Sequence, residues 1–81
     1  MAATYRPQVR HLGQALSPLT EREEQVLVTV ATGRTNAEIA KDHHISLSTV
    51  KFHLSSLMTK IEARNRVEIA IWAYETKRVE P

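Results

Sequence analysis

The strongest pattern in the chain is an apolar stripe in its second half. Leu47, Val50, Leu54, Leu57 and Ile61 advance by three, four, three and four residues, the spacing that lines side chains up on one face of an α-helix. Val26, Leu27, Val30 and Ala31 show the same spacing earlier, and Ile39 and Ala40 form a shorter apolar step between the two stripes. From Val67 to Tyr74 only Glu68 interrupts an otherwise apolar run. No segment alternates with the period of two that a half-buried strand requires. The pattern predicts an all-α fold.

Each predicted helix carries a start signal. Thr20-Glu21-Arg22-Glu23 and Thr35-Asn36-Ala37-Glu38 are capping boxes, in which the threonine oxygen takes an orphan backbone N–H and the glutamate reaches back. Ser46 is an N-cap ahead of the long stripe, and Asn65-Arg66-Val67-Glu68 repeats the capping logic. Gly33 can close the first helix in a left-handed conformation. No glycine or proline falls inside these segments. Four helices with short connections are expected, the third over 46–62. Residues 1–18, punctuated by Pro7, Gly13 and Pro18, read as a linker or flexible arm, 19–78 as the folded domain, and 79–81 as a frayed tail.

If the long stripe faces inward, helix geometry sets what faces outward. Ser48, Phe52, Ser55 and Thr59 lie opposite it, flanked by Lys51 and Met58 on one side and by Thr49, Ser56, His53 and Lys60 on the other. A merely solvated helix usually carries many Glu and Lys residues. Small hydroxyls with one lysine instead let a helix approach base edges closely. A cation near the helix start can reach guanine acceptors or a phosphate, and hydroxyls with N-terminal N–H groups suit phosphate oxygens. Phe52 can pack on a thymine methyl, be covered by the N-terminal arm, or be an isolated exposed apolar residue of a common kind. Ile39, Ala40, Ile45 and Val50 form the apolar skeleton of a helix-turn-helix. His43 and His44 occupy its turn, where histidine tolerates a positive φ better than most residues.

The last helix is too apolar for an isolated small domain. Ile69, Ala70 and Ala73, with Trp72 at their edge, are expected to pack inward. Val67, Ile71 and Tyr74 then point outward, ready to pair with the same stripe of a second copy in a two-fold dimer; the arm or another domain could cover them instead. Arg66 either reaches a phosphate or pairs with Glu23 or Glu24, the ion pair being preferred.

Composition narrows the function. Eighty-one residues make one domain at most. Eleven Lys/Arg against nine Asp/Glu is nearly balanced. The distribution is not: Glu21, Glu23 and Glu24 face one Arg22 in 20–32, whereas Arg34, Lys41, Lys51, Lys60, Arg64 and Arg66 outnumber Glu38, Asp42 and Glu62 in 33–66. The middle is the part suited to phosphates, and charge alone fits an ordinary mixed-charge surface equally well. The absence of cysteine removes disulfides and thiolate metal sites and fits a cytoplasmic protein. No apolar run approaches the roughly 20 residues that cross a bilayer, and no leader is expected. The serines belong to no diagnostic catalytic motif, and Gly13 and Gly33 make no phosphate loop. His43, His44 and His53 have no carboxylate spacing to complete a metal site. Neither an enzyme nor a cofactor is expected.

Several of these segments, in this order, resemble the LuxR/NarL/FixJ-type DNA-binding domain. They are Leu19-Thr20-Glu21-Arg22-Glu23, Val26-Leu27, Gly33 to Ala40, Ile45 to His53, Lys60-Ile61 and Arg66. Two positions depart: His43 stands where the family usually has leucine, and Ser55 where some members have lysine. The resemblance implies a four-helix effector domain that binds DNA as a dimer and regulates bacterial transcription, often at the C-terminal end of a two-component response regulator. It implies that Lys51, Phe52 and Ser55 face base edges, that Thr35, Asn36, Ser46, Thr49 and Lys60 lie near phosphates, and that the last helix carries the dimer contact. A receiver domain does not fit in this chain, so a phosphorylation switch is expected outside it. The expected function is sequence-specific binding of a pseudo-palindromic DNA site. The rivals are a promoter-reading module like the fourth region of a sigma factor, and a protein-interaction module on the same fold.

Overall fold

The computed structural model of the chain describes residues 15–80. The arm expected over 1–14 and the end at residue 81 lie outside the described residues. Four helices follow in order: α1 (Glu21–Ala31), α2 (Asn36–His43), α3 (Leu47–Ile61) and α4 (Arg66–Glu75). No strand occurs among the described residues.

The start signals act as local chemistry requires. Thr20 accepts from the Glu23 amide at 3.1 Å while Glu23 accepts from the Thr20 amide at 2.9 Å. Thr35 and Glu38 repeat the arrangement at the same distances. Each box satisfies two donors that a helix start leaves open. Ser46 accepts from the Thr49 amide at 3.1 Å. The fourth signal is one-sided. Asn65 accepts from the Glu68 amide, but the Glu68 carboxylate turns to the amide and guanidinium of Arg64. At the other ends, Gly33 follows α1 with φ +92°, and His44 and Glu62 close α2 and α3 in the left-handed region. A Cβ at Gly33 would meet nothing within 4 Å, so backbone conformation rather than space favours glycine there.

α1 packs against α3 and α4, and α2 packs chiefly on α3. The core is Val26, Leu27 and Val30 from α1, Ile39 from α2, Val50, Leu54, Leu57 and Ile61 from α3, and Ile69, Trp72 and Ala73 from α4. Ala40, Ile45 and Met58 pack against its edge. The inward stripe of α3 therefore begins at Val50. Leu47, expected inward as well, is 44% exposed at the first residue of α3.

The described residues just outside the four helices contact the core. Ala15 and Leu19 pack against the core, and the Leu16 amide donates to the Lys60 carbonyl at 2.7 Å. Residues 15–18, read as part of a flexible arm, are thus docked at the C-terminal end of α3. Val79, read as frayed, also packs against the core. Just before it, the Arg78 guanidinium lies 4.4 Å over the Trp72 ring and donates to Glu24 at 2.9 Å, which ties the end of the domain to α1. Among the described residues no helix is long and apolar enough to cross a membrane.

Candidate nucleic-acid interface

α2 and α3 form the helix-turn-helix, and its turn is held by backbone bonds. The His44 amide donates to the Lys41 carbonyl at 3.3 Å and the Ile45 amide to the Ala40 carbonyl at 3.0 Å. His44 adopts φ 57°, the role expected for a histidine in this turn. His43, at the leucine position of the resemblance, is half-buried. Its Nε2 is buried without a hydrogen-bond partner among the described residues.

The outward face of α3 is open. Ser48, Lys51, Phe52, Ser55 and Thr59 are exposed. Phe52 is 67% exposed. Its ring meets His53 edge-on, with centroids 5.8 Å apart. Among the described residues, no hydrogen bond or ion pair engages the side chains of Lys51 or Ser55.

At the start of α3 three hydroxyls gather. Ser46 Oγ lies 2.8 Å from Thr49 Oγ1 and 3.1 Å from Ser48 Oγ. The first turns of α1, α2 and α4 each contain an acidic residue, and that of α3 contains none. The positive end of the α3 dipole is therefore not offset by a carboxylate in that turn. Thr35 and Asn36 open α2. The Thr35 hydroxyl oxygen accepts in its capping box, and Asn36 Oδ1 accepts from Arg66 Nη1 at 2.6 Å.

Lys60 is placed differently from the other expected DNA contacts. Its ammonium donates to Glu23 Oε1 at 2.7 Å and to the Pro18 carbonyl at 3.1 Å. Ser56, read as part of the polar flank, donates to Glu23 Oε2 at 2.6 Å. Glu23 is only 4% exposed. Burial alone pushes its carboxyl up, but the bonds from Lys60, Ser56 and the Thr20 amide, with the Lys60 charge, outweigh burial and bring it down to about 2. The cation expected beside a phosphate thus holds α3 to α1 and to residue 18.

Arg66 also departs from expectation. It pairs with neither Glu23 nor Glu24, because Lys60 takes the first and Arg78 the second. It donates instead to Asn36 and to the Arg34 carbonyl. No local signal announces these choices, since Lys60 and Glu23 are 37 residues apart and Arg66 and Asn36 are 30 apart.

On α4, Val67, Ile71 and Tyr74 are 66%, 50% and 41% exposed, while Ile69, Trp72 and Ala73 are buried. Among the described residues no group of three His, Cys, Asp or Glu side chains could hold a metal.

The family model described as "Bacterial regulatory proteins, luxR family" matches residues 17–73. Among curated proteins, the response regulator protein VraR of Staphylococcus saprophyticus is 36% identical over 70 residues, covering 86% of this chain and 34% of that protein. VraR of Staphylococcus aureus is 42% identical over 57 residues, covering 70% of this chain and 27% of that protein. VraR of Staphylococcus epidermidis matches to the same extent. The chain spans about a third or less of the length of these relatives.

Proposed function

The chain belongs to the luxR family of bacterial regulatory proteins and is a DNA-binding transcription-regulator domain of the helix-turn-helix type, and from that premise we propose that it reads a pseudo-palindromic site as a dimer, with α3 in the major groove. The observation that carries this reading is the outward face of α3, where Lys51, Phe52 and Ser55 stand exposed while Val50, Leu54, Leu57 and Ile61 face the core.

Lys51 reaches guanine acceptors or a neighbouring phosphate, Phe52 packs on a thymine methyl, and Ser55 donates to or accepts from a base edge. Ser46, Ser48 and Thr49 place hydroxyls at the α3 start, where they and the uncompensated helix end meet phosphate. Thr35 and Asn36 hold a second phosphate at the α2 start. Lys60 acts from behind this surface by fixing α3 on α1. The outer stripe of α4, Val67, Ile71 and Tyr74, pairs with its copy, so that two recognition helices present themselves to successive major-groove faces of a two-fold site.

The named relatives are response regulators. By that likeness the domain is the output part of a longer cytoplasmic protein whose receiver domain controls it.

Titration against a pool of random duplexes at two salt concentrations, with Lys51→Ala alongside, tests this reading. It predicts enrichment of a two-fold motif, affinity that falls steeply with salt, and a loss of about 5- to 150-fold in the variant, about 1–3 kcal/mol for a base contact. Uniform weak binding would leave only generic DNA affinity. No binding at low salt would favour a protein-interaction module, and tight monomeric binding to RNA polymerase a sigma-like one.

A further inference from the structure

Arg66 opens α4, yet its guanidinium is engaged at the beginning of the helix-turn-helix. Nη1 donates to Asn36 Oδ1 and Nη2 to the Arg34 carbonyl. A guanidinium carries donors only. The Asn36 atom that faces it must therefore be the carbonyl oxygen, which determines an amide orientation that geometry alone would leave open to a flip. Both N–H donors of Nδ2 then point away from Arg66, and among the described residues no acceptor bonds them. The second bond holds the backbone at Arg34, one residue before the Thr35 cap, so this segment and the first residue of α2 are held by one side chain. A cationic donor on the oxygen also polarises the amide and strengthens its N–H groups as donors.

We propose that Arg66 is a positioning residue of the DNA interface: it turns the Asn36 amide so that its N–H groups face a phosphate oxygen at the start of α2, without itself touching DNA. The inference rests on the reading of Asn36 as a phosphate contact. Arg66 is half-buried, and both of its hydrogen bonds go to groups of the Arg34–Asn36 segment.

The test is a double-mutant cycle on the intact chain. Arg66→Met, Asn36→Ala and the double variant are compared with the parent and with Arg66→Lys. Binding to a duplex selected from the random pool is measured at several salt concentrations, well below each variant's melting temperature. Arg66→Met is expected to weaken binding roughly tenfold, the loss of one hydrogen bond to a charged group. The slope of log affinity against log salt stays unchanged, and the substitution costs nothing further once Asn36 is alanine. Arg66→Lys does not rescue, because a shorter side chain ending in a point-like ammonium does not reproduce the planar fork whose two nitrogens meet Asn36 and the Arg34 carbonyl.

A slope that changes by about one would mean a direct phosphate contact and overturn the proposal. So would rescue by lysine, additive losses in the cycle, or unchanged affinity with a lowered melting temperature. If Arg66→Met does not fold, Arg66→Lys carries the same cycle with Asn36→Ala. Lys51→Ala, measured in parallel, separates the two failures. If Lys51→Ala loses affinity while Arg66→Met keeps it, this inference alone fails. Lys51→Ala binding as tightly as the parent, or no duplex binding at all, overturns the underlying reading and this one with it.

Discussion

At Glu23 the domain buries a carboxylate that is only 4% exposed. A buried charge is tolerated when its oxygens are satisfied, and here the Thr20 amide and the Lys60 ammonium share Oε1 while Ser56 takes Oε2. Glu23→Gln keeps the volume but removes the charge that Lys60 faces. Breaking a buried pair costs roughly 3–5 kcal/mol. Lys60 keeps part of its surface in water, so a cost of about 2 kcal/mol is expected, read as a melting temperature lower by about 10 °C. The pH dependence follows from the same group. Its carboxyl lies at about 2 when folded against 4.5 ordinarily, so its contribution is complete above about 4.5 and is lost as pH falls toward 2. Melting temperatures measured from pH 7 down to 2 should be flat at first and then fall, less steeply in Glu23→Gln. Parallel curves for the two proteins would show that another group dominates acid unfolding.

Among the elements, α2 is the shortest, and its length is set by chemistry at both ends. Thr35 and Glu38 begin it reciprocally, and His44 ends it by entering the left-handed region. A non-glycine residue there costs about 1 kcal/mol or more. His44→Gly should therefore stabilise the domain by about 0.5–1 kcal/mol, whereas His44→Val should destabilise it, both measured by urea unfolding. Unaltered stability in both would mean that the turn is held by its neighbours rather than by its own conformation. The elements also show how far periodicity reaches. The spacing of Val50, Leu54, Leu57 and Ile61 identifies the buried face of α3, and all four are buried. The same spacing includes Leu47, which is exposed because a stripe is buried only as far as something packs over it.

For the molecule as a whole, the proposed dimer puts the contact between two copies on the outer stripe of α4. Val67, Ile71 and Tyr74 are exposed on one copy. Tyr74→Asp should leave the melting temperature of the free domain within about 0.5 kcal/mol of the parent in stability terms. On a two-fold duplex it should weaken the second binding step, since a carboxylate on each copy would face its twin across the axis. Equal dimer formation on DNA, measured by mobility shift across a protein titration, would place the dimer contact elsewhere. The docked flanks belong to this scale too. Leu16 bonds the end of α3, and Arg78 joins α4 to α1, so the segments on either side of the four helices are tied to the same core that orients α3.

What the sequence determined by itself was local. Capping boxes, helix ends and apolar stripes depend on residues three or four apart, so Thr20, Thr35 and Ser46 start their helices as read, and Phe52 and the α4 stripe face outward as read. The order of motifs was enough to carry the family resemblance. What only the tertiary structure decided was which charged side chain meets which. Lys60 and Arg66 each had plausible partners along the chain, but an ion pair forms wherever packing brings opposite charges within about 4 Å, and α1, α3 and α4 must be assembled before that distance exists. The same reason explains Leu47, Ala15 and Val79: burial is a property of what lies opposite, and no local pattern contains it.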